Sequence, residues 1–301
     1  MMPPFIEAMR PHQWVKNLLV LAPLLFTPQG LLYQPSAWLQ VLLAFAAFCC
    51  AASSIYLLND IVDRVEDARH PKKKSRPIAS GRLPVGVARV QLLGLLAGAF
   101  GFGWLVPPTT AGVPFVVWPL AYLALNLAYS FWLKRLVVID CMCIALGFQL
   151  RVQTGAAAID VDASHWLLLC TFFFSLFLAF CKRYEELSRQ AEASGRTRAT
   201  MSEYSASFLS MLIGPLAALS ILSYSLYTVS PETVATHGSD RLMFTVPIVT
   251  YGVFRYLFLV YRRSEGGDPA QLLFRDLPLV VSGLAYAALV VVLLRVMPVG
   301  G

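Results

Sequence analysis

Between Asn59 and Pro77 the chain reads NDIVDRVEDARHPKKKSRP, with four acids inside eight residues and a run of bases behind them. Asp60, Asp63 and Asp67 stand at i, i+3 and i+7, so a continuous helix would carry all three on one face, with Asn59 beside Asp60. Carboxylates crowded in this way repel one another. A magnesium ion, a hard cation that takes oxygen ligands and also binds substrate phosphates, turns that cost into a site. The bases Lys72, Lys73, Lys74, Arg76 and Arg82 follow, and for them two roles stay open: a loop touching anionic lipid, or counter-charges for a phosphate. Arg76 stands in R-P-I-A-S-G, between a proline and a turn, which offers a fixed guanidinium for two-pronged phosphate contact. A metal held by acids on one side and Lys/Arg on the other can grip a diphosphate and stabilise it as it leaves. The plainer reading is a solvated helix end whose acids are neutralised by the lysines. Against it, Asn59 and Asp60 close an apolar run of more than twenty residues, where an unpaired charge is expensive.

The elements that must position these residues follow from composition. Of 301 residues 57% are hydrophobic and 14% charged, and the mean hydropathy is positive, outside the range of soluble domains. The fold class expected is an all-α integral membrane protein with about nine spans, near 14–33, 37–58, 87–106, 113–132, 137–156, 165–182, 207–229, 242–262 and 277–297. The N-terminus and the connectors 59–86, 133–136, 182–206 and 262–276 hold about twenty of the 24 Lys and Arg, whereas the intervening connectors hold one, Arg241. By the positive-inside rule the basic set is cytoplasmic, the N-terminus lies inside and an odd helix count puts the C-terminus outside. A single transmembrane domain over 1–301 is expected, with 59–86 and 182–206 as cytoplasmic caps. No soluble domain is left over, so any chemistry must come from these loops and the helix ends beneath them. The N-terminal stretch is polar for its length and lacks a small-residue cleavage site, so the first apolar segment is expected to stay in the mature chain. Cys49, Cys50, Cys141, Cys143, Cys170 and Cys181 show no metal or redox spacing and read as small buried hydrophobes; the four histidines follow no ligand pattern.

The motif N-D-x-x-D-x-x-x-D followed by R-P-I-A-S-G, at the end of the second of about nine helices, resembles the UbiA superfamily of intramembrane prenyltransferases over most of the chain. That resemblance implies a helical bundle around a central cavity, capped by the two long loops. It also implies diphosphate binding through magnesium, with manganese as an alternative ion, by Asn59, Asp60, Asp63 and Asp67.

Aromatic prenyltransferases of that superfamily carry a second aspartate-rich motif after the sixth helix. Here the same place reads FCKRYEELSRQAEASGRTRAT, with Lys182, Arg183, Arg189, Arg196 and Arg198 against Glu185, Glu186 and Glu192. The two-magnesium clamp is thereby in doubt, and more phosphate than one prenyl diphosphate is expected. R-P-H-Q-W-V-K-N (Arg10–Asn17), H-P-K-K-K-S-R-P-I-A-S-G (His70–Gly81), V-I-D-C-M-C-I-A-L-G-F-Q-L-R (Val138–Arg151) and K-R-Y-E-E-L (Lys182–Leu187) together are similar to the decaprenyl-phosphate phosphoribosyltransferase branch. That likeness implies transfer of 5-phosphoribose from its 1-diphosphate to a polyprenyl phosphate in the inner membrane of a bacterium, a step toward a lipid-linked cell-wall sugar donor. Residue roles expected with it are catalysis and metal binding by Asp60, Asp63 and Asp67. Substrate contacts fall to Lys16, Asn17, Asn59, Lys73, Arg76, Tyr129, Lys134, Asp140, Arg151, Lys182, Arg183, Tyr184 and Glu186.

For several of these the residue itself leaves alternatives. Lys16 follows an interfacial Trp14 and either reaches a phosphate or anchors the helix. Asp140 either meets substrate, or caps its helix or pairs with Lys134. Arg151 and Arg255, ionisable groups inside spans, either contact substrate or answer backbone carbonyls and snorkel. An aromatic prenyltransferase is the nearest rival reading, but it calls for the missing acidic motif. A transporter explains helices and intramembrane charge but not a one-sided aspartate cluster beside bases. No nucleic-acid partner is expected; membrane lipid is, and a homo-oligomer is compatible with the sequence.

Overall fold

The uncharged stretch from Pro35 to Leu58 is long enough to cross a bilayer, and in the computed structural model it forms most of a helix, α4 (Pro35–Val62). The structure describes residues 2–26, 29–70, 73–192, 203–237, 239–263, 272 and 275–293. Among these every regular element is helical. Five helical stretches, Pro35–Val62, Val85–Trp104, His165–Ser188, Ala206–Val229 and Arg241–Arg262, are long and apolar enough to span a membrane, and Val117–Phe131 and Leu277–Val291 are shorter apolar helices. The chain is a multi-pass membrane protein.

It divides into two compact units, residues 1–132 with 150–163, and 133–149 with 164–301. The first holds α1 (Pro4–Met9), a 3-10 helix over Pro11–Leu21, α2 (Ala22–Phe26), α3 (Gln29–Leu32), α4, α5 (Arg64–Arg69), α6 (Val85–Trp104) and α7 (Val117–Phe131). α4 is its core: Ala44, Ala47, Ala51, Ala52, Ser53 and Ser54 are all buried. Lipid tails are as apolar as leucine, so helices here gain by close approach through small residues. At Gly98 of α6 an added Cβ would sit 3.2 Å from Cys50 Sγ. The expected first span, 14–33, is not one helix. It is wound as 3-10 from Pro11 to Leu21, an unusually long run for that form, and Pro23, which lacks an N–H, falls in the first turn of α2. Close backbone contact accompanies this winding, because a Cβ at Gly155 would collide with the Val20 carbonyl.

The second unit contains α9 (His165–Glu192), α10 (Ala206–Val229), α11 (Pro231–His237), α12 (Val246–Arg263) and α13 (Leu277–Val291). α8 (Ile139–Ala158) gives residues 139–149 to this unit and the rest to the first. Phe177, Phe180, Leu209, Ile213 and Leu259 are fully buried at its centre. Arg255 is answered by an ion pair: Asp276 accepts from its Nη2 at 2.8 Å and Nε at 3.1 Å while capping α13 at the Leu279 N–H. α9 continues to Glu192 instead of ending at 182, so the start of the expected 182–206 loop is helical. Arg196 and Arg198, like Lys72, lie outside the described residues. The six cysteines carry free thiols, with Cys49, Cys141, Cys143 and Cys181 buried and Cys50 and Cys170 partly so.

Candidate active site

α4 stops at Val62 and α5 begins at Arg64, with Asp63 as the joint at φ −85° and ψ 5°. The one straight helix expected for the three aspartates is therefore bent at Asp63. Asp63 donates its N–H to the Asn59 carbonyl and accepts from the Asp67 N–H, both at 2.8 Å. Its side chain is half-buried and has no partner among the described residues. Asp60 and Asp67, by contrast, are each only 2% exposed. They converge on one nitrogen: Arg76 Nη1 donates to Asp60 Oδ1 at 3.0 Å and to Asp67 Oδ2 at 2.5 Å.

Two further cations close around the pair. Arg10 Nη2 donates to Asp60 Oδ1 at 2.6 Å, and Lys73 Nζ lies 3.6 Å from Asp67 Oδ1. Arg10 holds a left-handed backbone, φ 54°, at the end of α1, and its guanidinium lies 5.1 Å from the Tyr56 ring centroid. Strain of this kind in a non-glycine residue collects at functional sites. Arg76 is set by the R-P-I-A-S-G turn. Its carbonyl accepts from the Ser80 N–H and hydroxyl, and Gly81 takes the positive φ of 77° that the turn needs. Arg82 fastens that turn, donating to both Glu7 oxygens at 2.7 and 2.9 Å and to the Ser75 carbonyl at 2.6 Å. The Arg82 hydrogen bond holds the Glu7 carboxyl below its ordinary range, with burial working the other way. Arg82 thus clamps the turn to α1.

Two buried carboxylates against three cations leave a net positive site that favours an anion. Their two hard oxygens aimed at one cationic point also form a donor pair that suits magnesium. Among the described residues no three His, Cys, Asp or Glu side chains gather as a ligand group.

The same unit holds a second polar nucleus inside its apolar core. Arg151 is 5% exposed; its Nε donates to Asn17 Oδ1 at 2.9 Å, its Nη2 to the Tyr122 hydroxyl at 3.2 Å, and its guanidinium lies 5.2 and 5.0 Å from the Phe48 and Tyr122 rings. Asn17 in turn donates to Cys49 Sγ at 3.3 Å. The structure therefore brings Asn17 and Arg151 together. Lys16 and Tyr129 are half-buried, on the 3-10 helix and α7 respectively.

In the second unit Asp140, 1% exposed, opens α8 and accepts from the Cys141 N–H at 2.8 Å, the Tyr204 hydroxyl at 2.7 Å and Arg183 Nε at 2.7 Å. Arg183, 3% exposed, also donates Nη1 to Glu186. So two expected substrate residues, Asp140 and Arg183, are bound to each other. Burial pushes the Tyr204 phenol up, keeping it a donor. Lys134 sits in a 3-10 turn over Leu133–Arg135, Lys182 is half-buried on α9, and the Tyr184 ring packs 4.9 Å from Tyr261. Arg10 opens the R-P-H-Q-W-V-K-N motif but gains no role from it, and Tyr122 and Tyr204 lie in no motif, since their partners are 50, 29 and 64 residues away.

A helical membrane protein with an acidic pair ringed by bases at the end of its central helix is the class these observations define. Residues 20–277 match the UbiA prenyltransferase family, and the chain belongs to it. It is 34% identical over 293 residues to the decaprenyl-phosphate phosphoribosyltransferase of Corynebacterium glutamicum, covering 97% of this chain and 87% of that one. Against the enzyme of the same name from Mycolicibacterium smegmatis it is 35% identical, covering 93% and 89%. In fold it is similar to a UbiA homolog from Archaeoglobus fulgidus bound to GPP and Mg2+, with a TM-score of 0.68, 16% identity and coverage of 97% and 99%.

Proposed function

We propose that this protein transfers 5-phosphoribose from 5-phosphoribosyl 1-diphosphate to a polyprenyl phosphate, releasing diphosphate, in the synthesis of a lipid-linked cell-wall sugar donor. The observation that carries the reading is the convergence of buried Asp60 and Asp67 on Arg76, ringed by Arg10 and Lys73, in a chain similar over nearly its whole length to enzymes of that name.

Asp60 and Asp67 would hold magnesium or manganese, which when bound neutralises a diphosphate, with Asp63 as a third ligand that joins them on metal binding. Asn59 lies beside Asp60 and orients the same group. Arg10, Lys73 and Arg76 supply the fixed positive field in which the leaving diphosphate gains charge. The acceptor is a phosphate monoester whose oxygen is already an anion, so no strong general base is required. Its oxygen forms a bond to the anomeric carbon as the bond from that carbon to the diphosphate oxygen breaks, through an oxocarbenium-like transition state. Lys134, Lys182, Arg183, Tyr184 and Glu186 serve as substrate contacts, as do Lys16 and Tyr129. Asn17 and Arg151, bound to each other, serve as substrate contacts too. The site faces the cytoplasm of a bacterial cell, with the C-terminus outside.

The test is direct. Purified protein in detergent with labelled phosphoribosyl diphosphate, polyprenyl phosphate and magnesium should move label into the organic phase, and omission of the lipid phosphate should abolish it. Prenylation of 4-hydroxybenzoate from a prenyl diphosphate, with no phosphoribosyl lipid formed, would overturn the reading and leave the fold.

A further inference from the structure

The second unit contains a four-way junction that no motif announces. Tyr204 has one hydroxyl hydrogen and lone pairs to accept with, and both capacities are used. It donates to Asp140 Oδ1 at 2.7 Å and accepts from the Val138 N–H at 2.7 Å. Val138 is β-branched yet held at φ 68°, a genuine outlier for such a residue. It is the hinge between the Leu133–Arg135 turn and α8, and its N–H is one of the donors a helix start leaves without an intrahelical partner. On the other side Tyr204 is anchored. Ser205 caps α10 by accepting from the Phe208 N–H at 3.1 Å, and the Tyr204 and Phe208 rings stack at 6.2 Å. Through Asp140 the junction reaches Arg183 on α9.

We infer that Tyr204 is a positioning residue: its hydroxyl, shared between Val138 and Asp140, fixes the hinge that carries Lys134 and the buried Asp140–Arg183 pair, and so sets where the phosphoribosyl donor's phosphate is met. This rests on the donor assignment proposed above. Without the hydroxyl, the Val138 N–H loses the acceptor that holds its strained backbone, the Leu133–Arg135 turn leaves α8 at another angle, and Asp140 keeps Arg183 with one bond fewer. The ring and its stack on Phe208 would be untouched, so the effect belongs to one oxygen atom.

Tyr204→Phe in full-length purified protein tests it. KM for phosphoribosyl diphosphate should rise about tenfold while KM for polyprenyl phosphate stays within about twofold of wild type. A merely structural hydroxyl lowers the active fraction and hence Vmax, leaving both KM values in place, and that result would overturn the inference; so would a rise confined to the lipid acceptor. Inactive wild-type protein would instead sink the proposed reaction itself. Where Tyr204→Phe does not yield folded protein, Val138→Gly in the same background, which accepts φ 68° without strain, should restore yield but not the donor KM. A donor KM back at the wild-type value would show that relief of strain at Val138 suffices without the hydroxyl's bond to Asp140, and would overturn the inference.

Discussion

Arg76 Nη1 lies 2.5 Å from Asp67 Oδ2 and, with the same hydrogen-bearing nitrogen, 3.0 Å from Asp60 Oδ1. One guanidinium therefore neutralises two carboxylates from either side of the break between α4 and α5. Arg76→Ala would leave those buried acids to Arg10 and Lys73. Since Arg76 is itself about a quarter exposed, we expect a loss of about 2 kcal/mol, below the full cost of breaking a buried pair, read as thermal unfolding in detergent. Arg76→Lys should recover most of the stability but little transfer, because an ammonium cannot reproduce the fork. Transfer by the lysine variant at wild-type rate would remove the two-pronged role.

Asp63 gives the opposite signature. Its side chain has no described partner, so Asp63→Asn should shift stability by no more than about 0.5 kcal/mol, yet stop turnover if it completes the metal site. EDTA should stop the wild type as well, with magnesium or manganese restoring it. Activity of Asp63→Asn within about threefold of wild type would take this residue out of the mechanism.

Close packing makes a third case. Gly155 on α8 faces the Val20 carbonyl with no room for a methyl group, whereas Gly214 on α10 has nothing within 4 Å of an added Cβ. Gly155→Ala should cost about 1–3 kcal/mol through overpacking, and Gly214→Ala should match or slightly exceed wild type, as alanine favours helix. Equal melting points for the two variants would refute the close approach.

The Glu7–Arg82 clamp predicts a pH dependence. Arg82 holds Glu7 below its ordinary value of 4.5, so the folded state binds this proton less readily than the unfolded one. The clamp's contribution is fully present above that value and is lost as pH falls through the lower, folded value. Glu7→Gln should flatten that acid limb of the stability curve and lower stability at neutral pH by the same small amount, since the pair is largely exposed and screened. An identical acid limb in the variant would assign the loss to other groups.

Sidedness can be read by labelling. In a background with the six native cysteines replaced, a membrane-impermeant maleimide on intact cells should reach Ala111→Cys and not Ser75→Cys, both exposed positions. The reverse pattern would detach the site from cytoplasmic substrates.

The class of this protein was legible in the chain itself, because a bilayer forces long uncharged helices and sorts positive connectors to one side, and both leave marks in composition. The acidic motif and R-P-I-A-S-G were legible too, since their chemistry lies in residue types a few positions apart. What the chain could not give was the bend at Asp63: local spacing assumes one straight helix, and only the path of α4 into α5 sets how Asp63 stands to Asp60 and Asp67. Nor could it show that Arg183 and Asp140, forty-three residues apart, bind each other, or that Arg10 crosses fifty residues to reach Asp60. Burial decides such pairings. A charge withdrawn from water must find its partner wherever the fold brings one, and sequence distance carries no record of which partner that is.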